Sequence, residues 1–192
     1  MSITLPSPPA PRTPSGASRH ACEPPPARTL SPALPDDVER AALDLLRACE
    51  RAELSLASAE SCTGGLLASV LTDIEGHSAG FERAFVVYSS RAKCELLGLA
   101  EAMVDDCGAV SEEVARALAE SALERSRAGL AVGITGFAGP GGEDDEEGLV
   151  HIAVARRGAG TTHREMHYGP IGRGGVRIEA IRTALAMMRA AV

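Results

Sequence analysis

Apolar residues follow two alternating patterns along the chain after residue 36. Segments with apolar residues three or four positions apart, typical of helices, alternate with short apolar runs, typical of strands. The predicted helices begin near Asp36, Gly64, Ser89 and Ser111, and a last one carries residues 178–188. The predicted strands lie at residues 54–59, 85–88, 130–134, 149–155 and 162–168. Such alternation predicts an α/β fold, a three-layer α/β/α sandwich whose mixed sheet is mostly parallel and whose last two strands are antiparallel.

The chain divides into two parts of different composition. Residues 1–35 hold ten of the 12 prolines and are otherwise rich in alanine and serine. Proline supplies no hydrogen-bond donor to a sheet and breaks helices, so we predict a disordered extension there. Its arginines and its lack of acids before Glu23 loosely resemble a transit peptide, but a plain extension is favoured. Residues 36–192 are predicted to form one folded domain.

Charge and composition exclude several classes of partner. The net charge is −7, the isoelectric point is near 5.3 and there is no tryptophan, which argues against a nucleic-acid partner. The longest apolar runs are too short to span a membrane. The five cysteines are odd in number and form no Cys-x-x-Cys motif, which favours reduced thiols in a cytoplasmic protein over a disulfide framework or a zinc site.

Lys93 is the only lysine in a chain that contains 18 arginines. Arginine stays protonated in proteins, whereas a buried lysine can lose its proton and act as a base. Tyr88, which lies five residues before Lys93, is a second group able to transfer protons. From position alone, a role for this lysine and an accident of composition both stay open.

A second candidate lies at residues 59–65, between a predicted strand and a predicted helix. Here Ser61 could act as a nucleophile, and the N–H groups of Thr63, Gly64 and Gly65 could form an oxyanion hole or bind a phosphate. The alternative is an ordinary helix start that is capped by Ser61 or Thr63, with the glycines serving packing.

These positions also fit two rival chemistries. Cys62 is a possible nucleophile, but no histidine lies in a recognisable partner motif. Tyr88 and Lys93 resemble the Tyr-x-x-x-Lys pair of short-chain dehydrogenases, but four residues intervene instead of three. No Gly-x-Gly-x-x-Gly follows the first strand either, so the dehydrogenase interpretation is set aside.

A glycine-rich loop at residues 135–142 follows a predicted strand, where α/β folds place ligands. It begins with Thr135 and Gly136 and lacks the ending of a P-loop, so nucleoside triphosphate hydrolysis is not supported. A flexible turn is the alternative. The acidic run at residues 143–147 is predicted to be a solvated loop.

Arg173 and Arg177 flank the start of the last helix, where they could bind a phosphate or carboxylate or simply carry surface charge. His163 and His167 share a strand face with Glu165, but too few ligands converge there to predict a metal site.

Four stretches in this order resemble the CinA C-terminal domain family, the nicotinamide-nucleotide amidohydrolases. They lie at residues 59–65, 81–93, 108–115 and 135–142, and the resemblance covers roughly residues 38–190. Four ordered motifs are far more specific than any one alone. The resemblance implies a three-layer α/β/α sandwich, a small-molecule nucleotide substrate, no required metal or cofactor, and a homo-oligomer. Since only the proline-rich extension precedes the domain, we expect the stand-alone form.

The resemblance also implies an activity and roles for individual residues. The activity is hydrolysis of the carboxamide of nicotinamide mononucleotide to nicotinate mononucleotide and ammonia. Ser61 would be the nucleophile, Lys93 its base, and Tyr88 would relay a proton or orient the lysine.

Further residues are implied to line this site. Thr135 and Gly136 would line it, the N–H groups near Gly64 and Gly65 would hold the oxyanion, and Arg173 or Arg177 would hold the substrate.

The chain departs from the family pattern in two places. Ser90 stands where many members have asparagine, and the acidic run replaces a frequent Lys-Pro. A non-catalytic nucleotide-binding or regulatory module of the same fold remains the alternative function.

Overall fold

The computed structural model describes residues 34–142 and 145–192, so the predicted extension lies almost entirely outside the described residues. The helices are α1 (Asp36–Arg51), α2 (Leu66–Thr72), α3 (Ser90–Leu97), α4 (Glu101–Cys107), α5 (Glu112–Glu124) and α6 (Gly172–Ala191). The strands are β1 (Leu56–Glu60), β2 (Phe81–Val86), β3 (Leu130–Gly136), β4 (Leu149–Arg156) and β5 (Gly160–His167). A 3-10 turn, Ser78–Gly80, precedes β2.

One five-stranded sheet has the strand order β2-β1-β3-β4-β5. Strand β1 pairs in parallel with both β2 and β3, whereas β4 pairs antiparallel with both β3 and β5. The α/β fold, the mixed sheet and the antiparallel pairing of the last two strands are therefore confirmed. Since β4 is antiparallel to both of its neighbours, four of the five strands run in one direction and only β4 runs in the other.

Helices cover both faces of the sheet, which gives the predicted three layers. Helices α1, α2 and α6 pack on the face that carries Leu56, Val132 and Ile152. Helices α3, α4 and α5 pack on the other face, where the central strands carry alanine or glycine. At Gly133 a Cβ atom would come within 2.4 Å of the Ala115 carbonyl oxygen, so glycine is needed for α5 to lie this close to β3.

Several element bounds differ from the predicted ones for physical reasons. Strand β2 runs from Phe81 to Val86 and not over residues 85–88, because an edge strand tolerates polar residues such as the half-buried Glu82 and the exposed Arg83. Helix α2 begins at Leu66, since Gly64 and Gly65 have positive φ angles of 61° and 86°. Within the described residues, no helix is long and apolar enough to cross a membrane.

Candidate active site

Ser61 lies directly after the carboxyl end of the central strand β1. Its backbone N–H donates to the carbonyl oxygen of Ile134 at 3.0 Å, which extends the contact between β1 and β3 by one residue. Its side chain is 7% exposed and lines a pocket. The edge of the sheet therefore holds this hydroxyl on ordered backbone.

Lys93 reaches Ser61 from the first turn of α3, which Ser89 caps by accepting from the N–H of Ala92. The distance from Lys93 Nζ to Ser61 Oγ is 3.1 Å. The lysine side chain is 1% exposed, and no ion pair joins it to any described residue. Burial lowers the pKa of Lys93 below its usual 10.5, because desolvation disfavours the charged ammonium group. A buried lysine without a carboxylate partner beside a serine is suited to accept the serine's proton.

The pocket around this pair has a volume of about 240 Å³ and opens to solvent. Ser61, Tyr88 and Lys93 line it together with the loop at residues 135–141 and with Arg173. The structure thus brings together six of the predicted site residues, which are Ser61, Tyr88, Lys93, Thr135, Gly136 and Arg173.

Tyr88 contacts Lys93 through its backbone and not through its phenol. Its carbonyl oxygen lies 3.5 Å from Lys93 Nζ, whereas the side chain is 68% exposed at the pocket rim. The hydrogen bonds therefore support the orienting role predicted for Tyr88 and do not support a proton relay through the phenol. The exposed ring offers an aromatic surface to a ligand.

Thr135 and Gly136 line the pocket from the end of β3. The hydroxyl of Thr135 donates to the carbonyl oxygen of Ala109 at 2.7 Å, so this contact ties β3 to the segment before α5. At Gly136 a Cβ atom would lie 2.7 Å from the carbonyl oxygen of Leu149, which requires glycine for the close approach of β4.

Thr63, Gly64 and Gly65 form the turn behind Ser61 and do not line the pocket. The N–H of Gly64 donates to the carbonyl oxygen of Ser61 at 3.0 Å. An oxyanion role for this N–H is therefore not supported. Neither Ser61 nor Thr63 caps α2. The carboxylate of Glu60 does so instead, because it accepts from N–H groups in the first turn of the helix.

Glu60 is a buried acid that the sequence analysis missed. Its side chain is fully buried and accepts from the hydroxyls of Ser58 (3.2 Å) and Thr63 (2.8 Å). It also accepts from the backbone N–H groups of Leu67 (3.1 Å) and Ala68 (2.9 Å). An acid as the last residue of a buried strand, directly before a candidate nucleophile, was the signal that could have found it.

The two arginines that flank the start of α6 have different surroundings. Arg173 lines the pocket and makes no hydrogen bond or ion pair with a described residue, and a Cβ on Gly139 would lie 2.9 Å from its Nη2. Arg177 lies outside the pocket lining and donates from Nε (3.0 Å) and Nη2 (2.5 Å) to the carbonyl oxygen of Thr63. Only Arg173 is therefore placed to meet a ligand in the pocket.

Cys62 also lines the pocket, but its chemistry is unfavourable for attack. The side chain is buried, and burial raises the pKa of the thiol to about 12. Since the thiolate is the reactive form, a thiol of this pKa is a poor nucleophile at neutral pH.

The histidines near the end of the sheet have protein partners. His163 stacks on His151 with ring centroids 5.3 Å apart, and His167 contacts Glu146 at 2.7 Å and Glu165 at 2.9 Å. In the part of the chain that the structure describes, no group of three or more His, Cys, Asp and Glu side chains could hold a metal ion.

Fold and pocket together define a class: an α/β/α sandwich in which a buried lysine meets a serine where the parallel strands end. The model of the CinA C-terminal domain family matches residues 38–192. The chain belongs to this family.

Solved structures and relatives agree with this placement. A competence/damage inducible protein from Agrobacterium tumefaciens superposes with a TM-score of 0.79 at 44% identity, covering 82% of this chain and 96% of that one. The nicotinamide-nucleotide amidohydrolase PncC of Escherichia coli K12 is 47% identical over 134 residues, which are 68% of this chain and 80% of PncC. A CinA-like protein of Akkermansia muciniphila is 48% identical over 136 residues, or 70% of this chain, but the match spans only 33% of that relative.

Proposed function

We propose that this protein hydrolyses the carboxamide of nicotinamide mononucleotide to nicotinate mononucleotide and ammonia. The observation that carries the proposal is the contact of 3.1 Å between Lys93 Nζ and Ser61 Oγ in an open pocket. The similarity to the amidohydrolase PncC supports the choice of substrate.

The proposed reaction begins with neutral Lys93. Ser61 Oγ attacks the carboxamide carbon while its proton passes to Lys93 Nζ, which gives a tetrahedral intermediate. The protonated lysine then donates to the departing nitrogen, so that the C–N bond breaks, ammonia leaves and an ester on Ser61 remains. Water attacks this ester with Lys93 again as the base, and nicotinate mononucleotide is released. A positioned base of this kind contributes roughly 10²–10⁴-fold to the rate.

Two contacts are proposed to hold the substrate. Arg173 binds the phosphate, since its guanidinium group faces the pocket without a partner among the described residues. The exposed ring of Tyr88 packs against the pyridinium ring, and the carbonyl of Tyr88 keeps Lys93 directed at Ser61. The N–H groups of Gly64 and Gly65 lie outside the pocket lining, so no oxyanion role is proposed for them.

The non-catalytic alternative is less favoured because of the lysine's surroundings. A protein that only binds nucleotides gains nothing from burying Lys93 beside a hydroxyl, since burying an unpaired amine costs stability. The proposed steps use neither a metal nor a cofactor. The cytoplasmic location and the homo-oligomer remain predictions.

The test is release of ammonia and formation of nicotinate mononucleotide by the purified full-length protein. Nicotinamide riboside, which lacks the phosphate, serves as the comparison substrate. We expect turnover of the mononucleotide and a much higher KM for the riboside. Binding of the mononucleotide without any ammonia release between pH 6 and pH 10 would instead support the binding module.

A further inference from the structure

We propose that Glu60, Thr63 and Arg177 form a brace that positions Ser61 for attack, so that Arg177 is a positioning residue and not a substrate contact. The inference deepens the proposed function and rests on it in its kinetic part. It assigns a role to a buried acid and separates the roles of two arginines one helical turn apart.

The first half of the brace fixes the turn to α2. The buried carboxylate of Glu60 accepts from the Thr63 hydroxyl at 2.8 Å and from two N–H groups in the first turn of α2. Ser61 lies between Glu60 and Thr63 along the chain, so both of its flanks are tied to the same carboxylate. Hydrogen bonds to a charged, buried acceptor are among the stronger ones in proteins.

The second half of the brace fixes the turn to α6. Nε and Nη2 of Arg177 converge on the carbonyl oxygen of Thr63, across 114 positions of sequence. The neighbouring Val176 and Ala180 are fully buried in the core, so the helix that carries Arg177 is anchored. Thr63 is therefore held through its hydroxyl from one side and through its carbonyl from the other.

The position of Thr63 in turn sets the position of the nucleophile Ser61. The Ser61 carbonyl accepts from the N–H of Gly64, the residue directly after Thr63, so a shift of Thr63 moves the backbone of Ser61. The hydroxyl must stay near 3.1 Å from Lys93 Nζ for proton transfer. A displacement of about 1 Å at a reacting group can cost on the order of 100-fold in rate.

The brace also explains why the two arginines differ. Arg173 lines the pocket, where a charged ligand group can reach it, whereas Arg177 lies outside the lining and directs its Nε and Nη2 at Thr63. Loss of Arg173 should therefore weaken substrate binding. Loss of the two hydrogen bonds from Arg177 to Thr63 should slow the chemical step.

The experiment compares Arg177→Lys with Arg182→Lys. Lysine keeps the charge but cannot supply two converging donors from a planar group. Arg182 lies on the same helix and bonds to Asp37 and Glu179 away from the pocket, which makes it the matched control. Two rates are measured for each protein: ammonia release from nicotinamide mononucleotide, and covalent labelling of Ser61 by methanesulfonyl fluoride. Labelling is followed by intact mass and needs no substrate.

For Arg177→Lys we expect kcat and the labelling rate to fall by about ten- to a hundredfold while KM stays within about threefold. Arg182→Lys should match the wild type in both rates. Thr63→Val, which removes the hydroxyl bonded to Glu60, should repeat the pattern if Arg177→Lys folds poorly. The brace would be overturned if Arg177→Lys and Thr63→Val both labelled at the wild-type rate. A raised KM with unchanged kcat in these two variants would overturn it as well. If the wild type labels rapidly at Ser61 but releases no ammonia, the proposed substrate is wrong. The brace is then tested by the labelling rates of the variants alone. A wild type that does not label at Ser61 would overturn the brace as well.

Discussion

Replacing Lys93 with methionine should abolish activity without weakening the fold. Methionine matches the length of the lysine stem, fills the same buried space and carries no charge. The lysine is 1% exposed and has no ion pair among the described residues, so no opposite charge offsets the desolvation of its ammonium form. Removing such a group should leave stability equal or higher.

The expected changes in kcat and in melting temperature follow from the same geometry. Without a base 3.1 Å from Ser61 Oγ, kcat should fall by about 10²–10⁴-fold. Each gain of about 1 kcal/mol would raise the melting temperature by about 2–4 °C in a domain of this size. The folded pKa of Lys93 is lowered, so the unfolded state binds the proton more readily. The wild type should therefore lose stability relative to the variant as pH falls from the unfolded value of 10.5 to the lowered folded pKa, and the gap should stay constant below it.

The assay pairs ammonia release at saturating nicotinamide mononucleotide with thermal unfolding from pH 7 to pH 11. Lys93→Met with activity within tenfold of the wild type would refute the role of the lysine as a base. If the difference in melting temperature between the wild type and Lys93→Met did not change with pH, the lowered pKa of Lys93 would be refuted.

Further predictions test the pocket and the packing. Cys62→Ala should keep at least half of the activity at pH 7.5, since the thiol has a pKa of about 12; loss of activity in this assay would revive the cysteine mechanism. Arg173→Gln should raise KM for the mononucleotide about tenfold or more and leave KM for nicotinamide riboside unchanged, which steady-state kinetics would check. Gly133→Ala should destabilise the protein by about 1–3 kcal/mol in urea unfolding, because its Cβ would come within 2.4 Å of the Ala115 carbonyl oxygen; an unchanged midpoint would contradict the close packing.

The fold was largely predictable because its signals are local. Alternating helical and strand patterns mark the elements, and the structure shows that Ser89 and Ser111 cap the helices predicted to begin near them. The bounds of β2 were not predictable, since an edge strand need not be apolar and its pairing with β1 is set by the fold. The antiparallel pairing of β4 with β3 depends on where β4 joins the sheet, which spacing alone does not reveal.

The candidate site was predictable in its residues and less so in its geometry. The lone lysine and the serine after a strand were visible, and the structure brings Ser61 and Lys93 into contact. That Tyr88 turns its carbonyl, and not its phenol, toward the lysine depends on backbone direction after β2. The contact of Arg177 with Thr63 joins residues 114 positions apart, which no local pattern encodes.

The most direct test of the central claim is ammonia release from nicotinamide mononucleotide by Ser61→Ala beside Ser69→Ala. Ser69 lies on the exposed side of α2 and bonds only within its own helix turn, so its replacement serves as the control. We predict turnover by the wild type and Ser69→Ala, and a loss of at least about 10³-fold in Ser61→Ala with an unchanged melting temperature. Comparable turnover by Ser61→Ala and the wild type would contradict the account.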